Sequence, residues 1–400
     1  MDVDQVTRVS HQGWGSRLGN SIKGVVVGIL MVLGGAGLLF WGEGRAVKRA
    51  KALEEGAGVV VTVDPGGPSA GNEGRLVHFT GTAEAFEPLR DETLGIETPG
   101  LKLERHVEMY QWVEDEERQE RKKVGGGTET VTTYTYRKDW SERALDSSRF
   151  EEPSGHENPS SKPFDSKSFT SDPIVIGDWI LGPSFVGDLN RGRHLEVGSS
   201  ELDRASESVR SRLQVHNGGF YVGADPNRPE VGDARITFSV VPEAEVSVVG
   251  LQQGQSLVPY TAKVGGNIAL LSYGVKSAEE MFDAAKAGNT TLTWILRFVG
   301  FFVVMLGFSA ILRPLAVAAD VIPFLGNLAE KGIGLAAFAL AAIVSLLTIA
   351  VGWIFYRPLL GIALLAVVVG LIVWVMKRAA ANPGVERWTG QAPPPPPPAA

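Results

Sequence analysis

The residues that could do chemistry are few and scattered. Six histidines are present, His11, His78, His106, His156, His194 and His216. None stands in the His-x-x-x-His or Glu-x-x-His spacing that would set two metal ligands on one helix face. There is no cysteine, which excludes a disulfide framework, a thiolate metal site and a thiol nucleophile. No Gly-x-Ser-x-Gly elbow and no phosphate-binding glycine loop occurs. Gly125-Gly126-Gly127 lacks the strand-to-helix context of such a loop and reads as a turn. Glu114–Lys123 packs five acids and four bases into ten residues. That density of mixed sign describes a solvated hairpin tip, and it lacks the aligned acids of a calcium loop. The expectation is a protein without catalytic residues, metal or cofactor. What is left for chemistry is recognition. Arg105, His106, Glu108, Tyr110 and Trp112 fall within one alternating stretch, placed either to face a partner or to hold a sheet together. Arg297, Arg313 and Arg357 flank apolar runs, where a guanidinium, with Asp320 nearby, could hold an anionic lipid headgroup.

The elements that would position these residues are dominated by a membrane. Residues 24–41 form an uncharged apolar run preceded by Arg17 and Lys23, with no small-x-small cleavage site after it. It reads as an uncleaved signal anchor. Further runs at 292–312, 333–355 and 359–376 give four spans, the last two separated by Tyr356, Arg357 and Pro358. Proline disfavours helix at the residue before it, so these two read as a tight hairpin. Gly24 and Gly28 stand in small-xxx-small spacing, followed by Gly34 and Gly35, a pattern that lets helices approach closely. Counting Lys and Arg near the membrane gives eight on the side of the termini and five on the other. The termini, 1–23 and 377–400, are therefore expected in the cytoplasm, together with the partly interfacial segment 313–332.

Between the first two spans lies a large domain, 42–291, with 28 Lys/Arg against 40 Asp/Glu, a net charge of −12. It is expected outside the cytoplasm, and its acidity argues against nucleic acid as a partner. A short helical stem leaves the membrane and stops near Gly56; β signals follow. In 101–114 Leu101, Leu103, Val107, Met109 and Val113 share one face, and Lys102, Glu104, His106, Glu108, Tyr110 and Trp112 the other. That is a long half-buried strand. Thr130–Tyr136 is its partner across a charged tip. Further strands are expected near 59–63, 75–80, 174–181, 220–222, 234–241, 245–249 and 267–272, a short helix at 201–215, and a helix at 277–287 with Ser277 and Glu280 in capping-box spacing. The tail ends in Pro393–Pro398, expected to be extended polyproline II. The fold class is thus an α-helical four-span membrane protein with a large β-rich (α+β) extracytoplasmic domain between spans 1 and 2.

Several words of the sequence resemble the LUMA family, also called transmembrane protein 43. They are Glu43-Gly44-Arg45-Ala46, Asn72-Glu73-Gly74-Arg75-Leu76-Val77-His78, Arg105-His106-Val107-Glu108-Met109-Tyr110-Gln111-Trp112, Pro229-Glu230-Val231-Gly232-Asp233 and Gly352-Trp353 with Phe355-Tyr356-Arg357-Pro358. The resemblance adds Asn72, Glu73, Arg75, Gly232 and Asp233 to the partner-facing or structurally critical candidates. It implies four spans, a lumenal domain and no established catalytic residue. It also implies a self-associating organiser of the endoplasmic reticulum and inner nuclear membrane, whose animal members bind lamins and emerin. Arginine outnumbers lysine 24 to 14 in a Gly- and Ala-rich chain, which points instead to a bacterial relative. There the domain would be periplasmic and those two partners absent. The expected function is a non-enzymatic membrane scaffold acting on itself, on other membrane or extracytoplasmic proteins, and on lipid. The alternative is a lipid-handling protein with an interfacial arginine site.

Overall fold

A computed structural model of the protein describes residues 4–320 and 323–357, the side chains of 323–330 excepted, together with 373 and 377. The fourth apolar run, but for those two positions, and the proline tail lie outside the described residues.

Among the described residues, three helices are long and apolar enough to cross a membrane. The first, Trp14–Val59, has 46 residues and the second, Ala278–Ala319, has 42. At 1.5 Å per residue they are about 69 and 63 Å long, roughly twice a 30 Å hydrocarbon core. The first therefore absorbs both the apolar run and the polar stem into one rod. The third, Pro323–Tyr356, begins well ahead of the apolar run, so 313–319 continue one helix and 323–332 open the next. Ser277 and Glu280 form the anticipated capping box at the start of the second helix.

The first two helices pack through glycine. A Cβ on Gly28 would lie 2.6 Å from the Gly307 carbonyl oxygen, and one on Gly35 would lie 2.7 Å from Val304. Gly300 and Gly307 face Leu39 and Gly28 in return. Seven-residue spacing on both helices keeps these contacts on one seam. Gly24 and Gly34 have nothing within 4 Å and sit off it.

Among the described residues the β-rich region builds two large sheets, with two two-stranded ones beside them. In the larger the main order is Gln5–Gln12, Thr128–Ser141, Lys102–Lys122, Ala234–Val241, Gly219–Val222 and Gln214–His216. In the smaller, Leu76–Ala85, Ala244–Gln253, Ser256–Val258, Trp179–Leu181 and Ile174–Ile176 close on themselves, because the first pairs with both the second and the last. Val77, Phe79, Trp179, Phe185 and Val248 fill this small barrel. The chain crosses between sheets at Pro242–Glu243, from Ala234–Val241 straight into Ala244–Gln253. The helices enter the same core: Leu53 of the first and Met281 and Phe282 of the second are buried against Leu76, Val249 and Ile268.

Strand Lys102–Lys122 runs eight residues beyond the expected end, because its charged stretch is paired throughout with 128–135. This hairpin is an arm. Its outer strand pairs with Gln5–Gln12, a strand that period-2 reading missed because it is short and polar.

Candidate functional site

The alternating strand splits its candidates between two faces. Arg105 points inward with the odd positions. Its Nη1 donates to Asp91 Oδ2 at 2.6 Å, Arg105 and Asp91 both being buried, and its Nε to the Asp165 carbonyl at 2.8 Å. A paired, buried guanidinium ties the strand to its neighbours, the second of the two roles open to it. The even positions form a half-exposed face. Glu108 accepts from Arg235 Nε at 2.5 Å, and the Arg235 guanidinium lies 4.7 Å over the Trp140 ring. Tyr110 packs on Trp140 at 5.2 Å, and Lys138 covers Trp112 at 4.7 Å. His106 stands 3.4 Å from Ser239 Oγ. A groove of about 470 Å³ opens beside this face, lined by Glu108, Trp140, His216, Tyr221, Pro229 and Arg235.

The other candidates on the domain tie backbone together. Gly232, at φ +102°, donates its N–H to the Tyr110 carbonyl, and Tyr110 N–H donates to Asp233 O. The Asp233 carboxylate accepts from Tyr221 Oη at 2.6 Å and from Glu230 N–H at 2.8 Å. Burial first, and then that bond, hold the Tyr221 hydroxyl well above its ordinary range. Glu73 accepts the Gly254 N–H, while Asn72 and Arg75 close a turn that pairs with Gln252. Near the base of the arm His156 stacks on Tyr136 at 3.9 Å and meets Trp112 edge-on at 4.7 Å.

At the domain end of the helix bundle, Glu43 is 3% exposed. Its carboxylate accepts from Arg297 Nε at 2.6 Å and from Trp353 Nε1 at 2.9 Å. The Arg297 guanidinium also lies over Trp294 and Trp353. One carboxylate thus joins all three helices, and Arg297, a lipid-headgroup candidate, is held inside the protein. Sequence reading missed Glu43 because it falls two residues past the apolar run; the signal was an acid beside Trp41 opposite an arginine in the next span. Arg357 remains exposed, beside a cavity of about 540 Å³ that also touches Glu43 and Arg297. Around the corner, Arg45, Arg49, Arg191 and Lys276 line a larger cavity of about 700 Å³ between the helices and the barrel.

At the opposite end the first helix meets the arm. Arg17 donates to Asp320 Oδ2 at 2.8 Å and to the Gly126 carbonyl; Lys122 reaches Asp320 Oδ1 at 2.9 Å. Trp14 Nε1 donates to the Val317 carbonyl at 2.8 Å. Asp320 is 1% exposed. It is thus a buried clasp partner, not a free headgroup ligand. Arg313 is exposed beside a small cavity at this end. Among the described residues no group of three or more His, Asp or Glu side chains could hold a metal ion.

A family model described as Transmembrane protein 43 matches residues 109–358. The chain belongs to the transmembrane protein 43 family. It is 35% identical over 366 residues to transmembrane protein 43 of Mus musculus and of Homo sapiens, covering 89% of this chain and 90% of theirs. It is 34% identical over 364 residues to the transmembrane protein 43 homologue of Drosophila melanogaster, covering 87% of this chain and 92% of that one. No solved structure matches. Two of the words that carry the resemblance to the transmembrane protein 43 family meet in the bundle. Gly44 leaves room for the Tyr356 ring, 2.6 Å from where its Cβ would stand, and Gly352 for Glu43 at 3.2 Å.

Proposed function

We propose that this member of the transmembrane protein 43 family is a non-enzymatic membrane scaffold. It fixes a β-rich platform to a helical anchor and presents the half-exposed sheet face at Tyr110, Trp140 and Arg235 to a second copy or to another protein outside the cytoplasm. The observation that carries this reading is mechanical. Two membrane-length helices run without a break into the domain core, where Leu53, Met281 and Phe282 are buried against Leu76, Val249 and Ile268. Such a joint has no hinge, so the platform keeps one height and orientation, which serves assembly and not gating. The face itself has the composition of a contact surface, aromatic rings and arginine over a groove. The polar residues singled out for chemistry, among them Arg105, Glu73 and Asp233, are occupied in holding the fold.

Native mass spectrometry of the protein released from nanodiscs tests the proposal. A defined homo-oligomer that falls to monomer in Tyr110→Ala/Trp140→Ala, with far-ultraviolet circular dichroism unchanged, is the expected result. An oligomer that survives in that folded variant would remove this face from the assembly.

A further inference from the structure

The cavity of about 700 Å³ lies where the first helix leaves its apolar run. Arg45 follows Trp41 by one helical turn and Arg49 by two. Arg45 and Arg49 project between the helix bundle and the barrel, and Arg191 and Lys276 line the same space. None of these four cations is in an ion pair among the described residues. The Arg45 Nε is buried with no hydrogen-bond partner, its Nη2 reaching only Thr293 Oγ1 at a long 3.4 Å. Arg49 spends one N–H on the Asn267 carbonyl, and the Arg191 guanidinium rests on the Tyr273 ring at 4.4 Å. The carboxylate on this cavity's wall is Asp188, whose ionisation burial disfavours. Burial and the neighbouring Arg45 likewise disfavour the charge on Arg49. Like charges one turn apart repel, and an unpaired buried donor costs about 1–3 kcal/mol. A tetrahedral oxyanion with several acceptor oxygens removes both penalties.

The surroundings indicate what carries that anion. Leu292 lines the same cavity, and from it exposed apolar side chains descend the second helix at helical spacing: Ile295, Val299, Phe302 and Leu306. This stripe is about 21 Å long, enough to run the ~15 Å depth of one leaflet of a 30 Å hydrocarbon core. We propose that the cavity bounded by Arg45, Arg49, Arg191 and Lys276 holds the phosphoryl headgroup of an anionic phospholipid, with an acyl chain lying along Leu292–Leu306. This site is separate from Arg297, Arg313 and Arg357 and does not depend on the scaffold reading.

The test uses the full chain in detergent micelles, titrated with phosphatidylglycerol, with phosphatidylcholine and with inorganic phosphate, and read by native mass spectrometry and thermal shift. Phosphatidylglycerol is expected to bind with retained adducts and to raise Tm, and phosphatidylcholine to do neither. Arg45→Gln/Arg49→Gln is expected to weaken phosphatidylglycerol binding about tenfold or more, since charge-assisted bonds to phosphate are lost. Arg45→Lys/Arg49→Lys should retain most of the binding, and Arg90→Gln, an exposed position on the domain that lines none of these cavities, all of it. Should the double glutamine variant fail to fold, Arg191→Gln, an exposed position on the cavity wall, is expected to weaken binding several-fold. Equal binding of the two lipids, or full binding by the glutamine variants in folded form, overturns the proposal. Stabilisation by inorganic phosphate equal to that by phosphatidylglycerol overturns the lipid assignment.

Discussion

Replacing Glu43 should loosen all three helices at once. Removing one member of a buried ion pair usually costs about 3–5 kcal/mol, because the other charge is left without its partner. Here Arg297 keeps 20% of its side-chain surface and can recover part of its hydration. That moves the expectation for Glu43→Ala to about 3 kcal/mol, with about 1 kcal/mol more for the lost Trp353 bond. Glu43→Gln keeps an acceptor for one of its two donors and should cost about 2 kcal/mol. The assay is equilibrium unfolding in detergent, followed by the fluorescence of Trp294 and Trp353 in single-tryptophan backgrounds. A double-mutant cycle with Arg297→Ala isolates the pair, and a coupling energy above about 1 kcal/mol is expected. Replacing both residues with leucine should restore most of the stability, since buried pairs exchanged for packed apolar side chains are often neutral. Additive single mutants, within about 0.5 kcal/mol, would refute the reasoning.

The seam between the first two helices predicts opposite signs for two glycines. Gly28→Ala forces a Cβ to 2.6 Å from the Gly307 carbonyl and should destabilise by about 1–3 kcal/mol, whereas Gly24→Ala, with nothing within 4 Å, should be neutral or stabilising by denaturant midpoint. Tyr136 supplies a pH dependence. Burial first, and then its bond to Glu114, push its hydroxyl up to about 12. A raised folded value means that its contribution is fully present below about pH 10 and is lost as pH rises towards 12. The stability gap between the protein and Tyr136→Phe should therefore shrink over that interval; a constant gap would contradict the assignment. Finally, the chain has no cysteine, so Val9→Cys/Val131→Cys, at paired positions, reports the arm directly. Oxidative crosslinking in native membranes is expected where the arm is closed, and its failure there would show the arm open.

The elements that a period can announce were legible in the sequence. The odd–even alternation of 101–114 is reproduced as Leu103, Val107 and Met109 buried and Glu108, Tyr110 and Trp112 half-exposed. Ser277 and Glu280 fixed a helix start by a local hydrogen-bond pattern. What was hidden needed long-range geometry. Arg105 obeys the alternation and is buried, but only the proximity of Asp91 explains a charge on that face. The continuity of the first helix was obscured because its composition changes from apolar to basic while its backbone does not. Gln5–Gln12 has no hydrophobic period of its own and becomes a strand through the arm. The cavity at Arg45 and Arg49 draws Arg191 and Lys276 from far along the chain, and spacing within one segment could not have assembled it.

The arm and the N-terminal strand also close a ring. From Gln5 the chain passes through the first helix into the domain, out along the arm, and back to its own beginning, sealed by Arg17, Asp320 and Lys122. The arm carries exposed Asp115, Glu116, Glu117, Arg118 and Glu120, and towards its tip Glu120 shares a cavity with Gly24, Ala310 and Arg313 of the bundle. Hydrocarbon tolerates neither those charges nor an open strand edge. A closed ring and a bundle bathed in lipid on every side are therefore exclusive states of the same chain. The choice between them falls on the eight residues Gln5–Gln12, whose pairing with Thr128–Thr135 is what closes the ring.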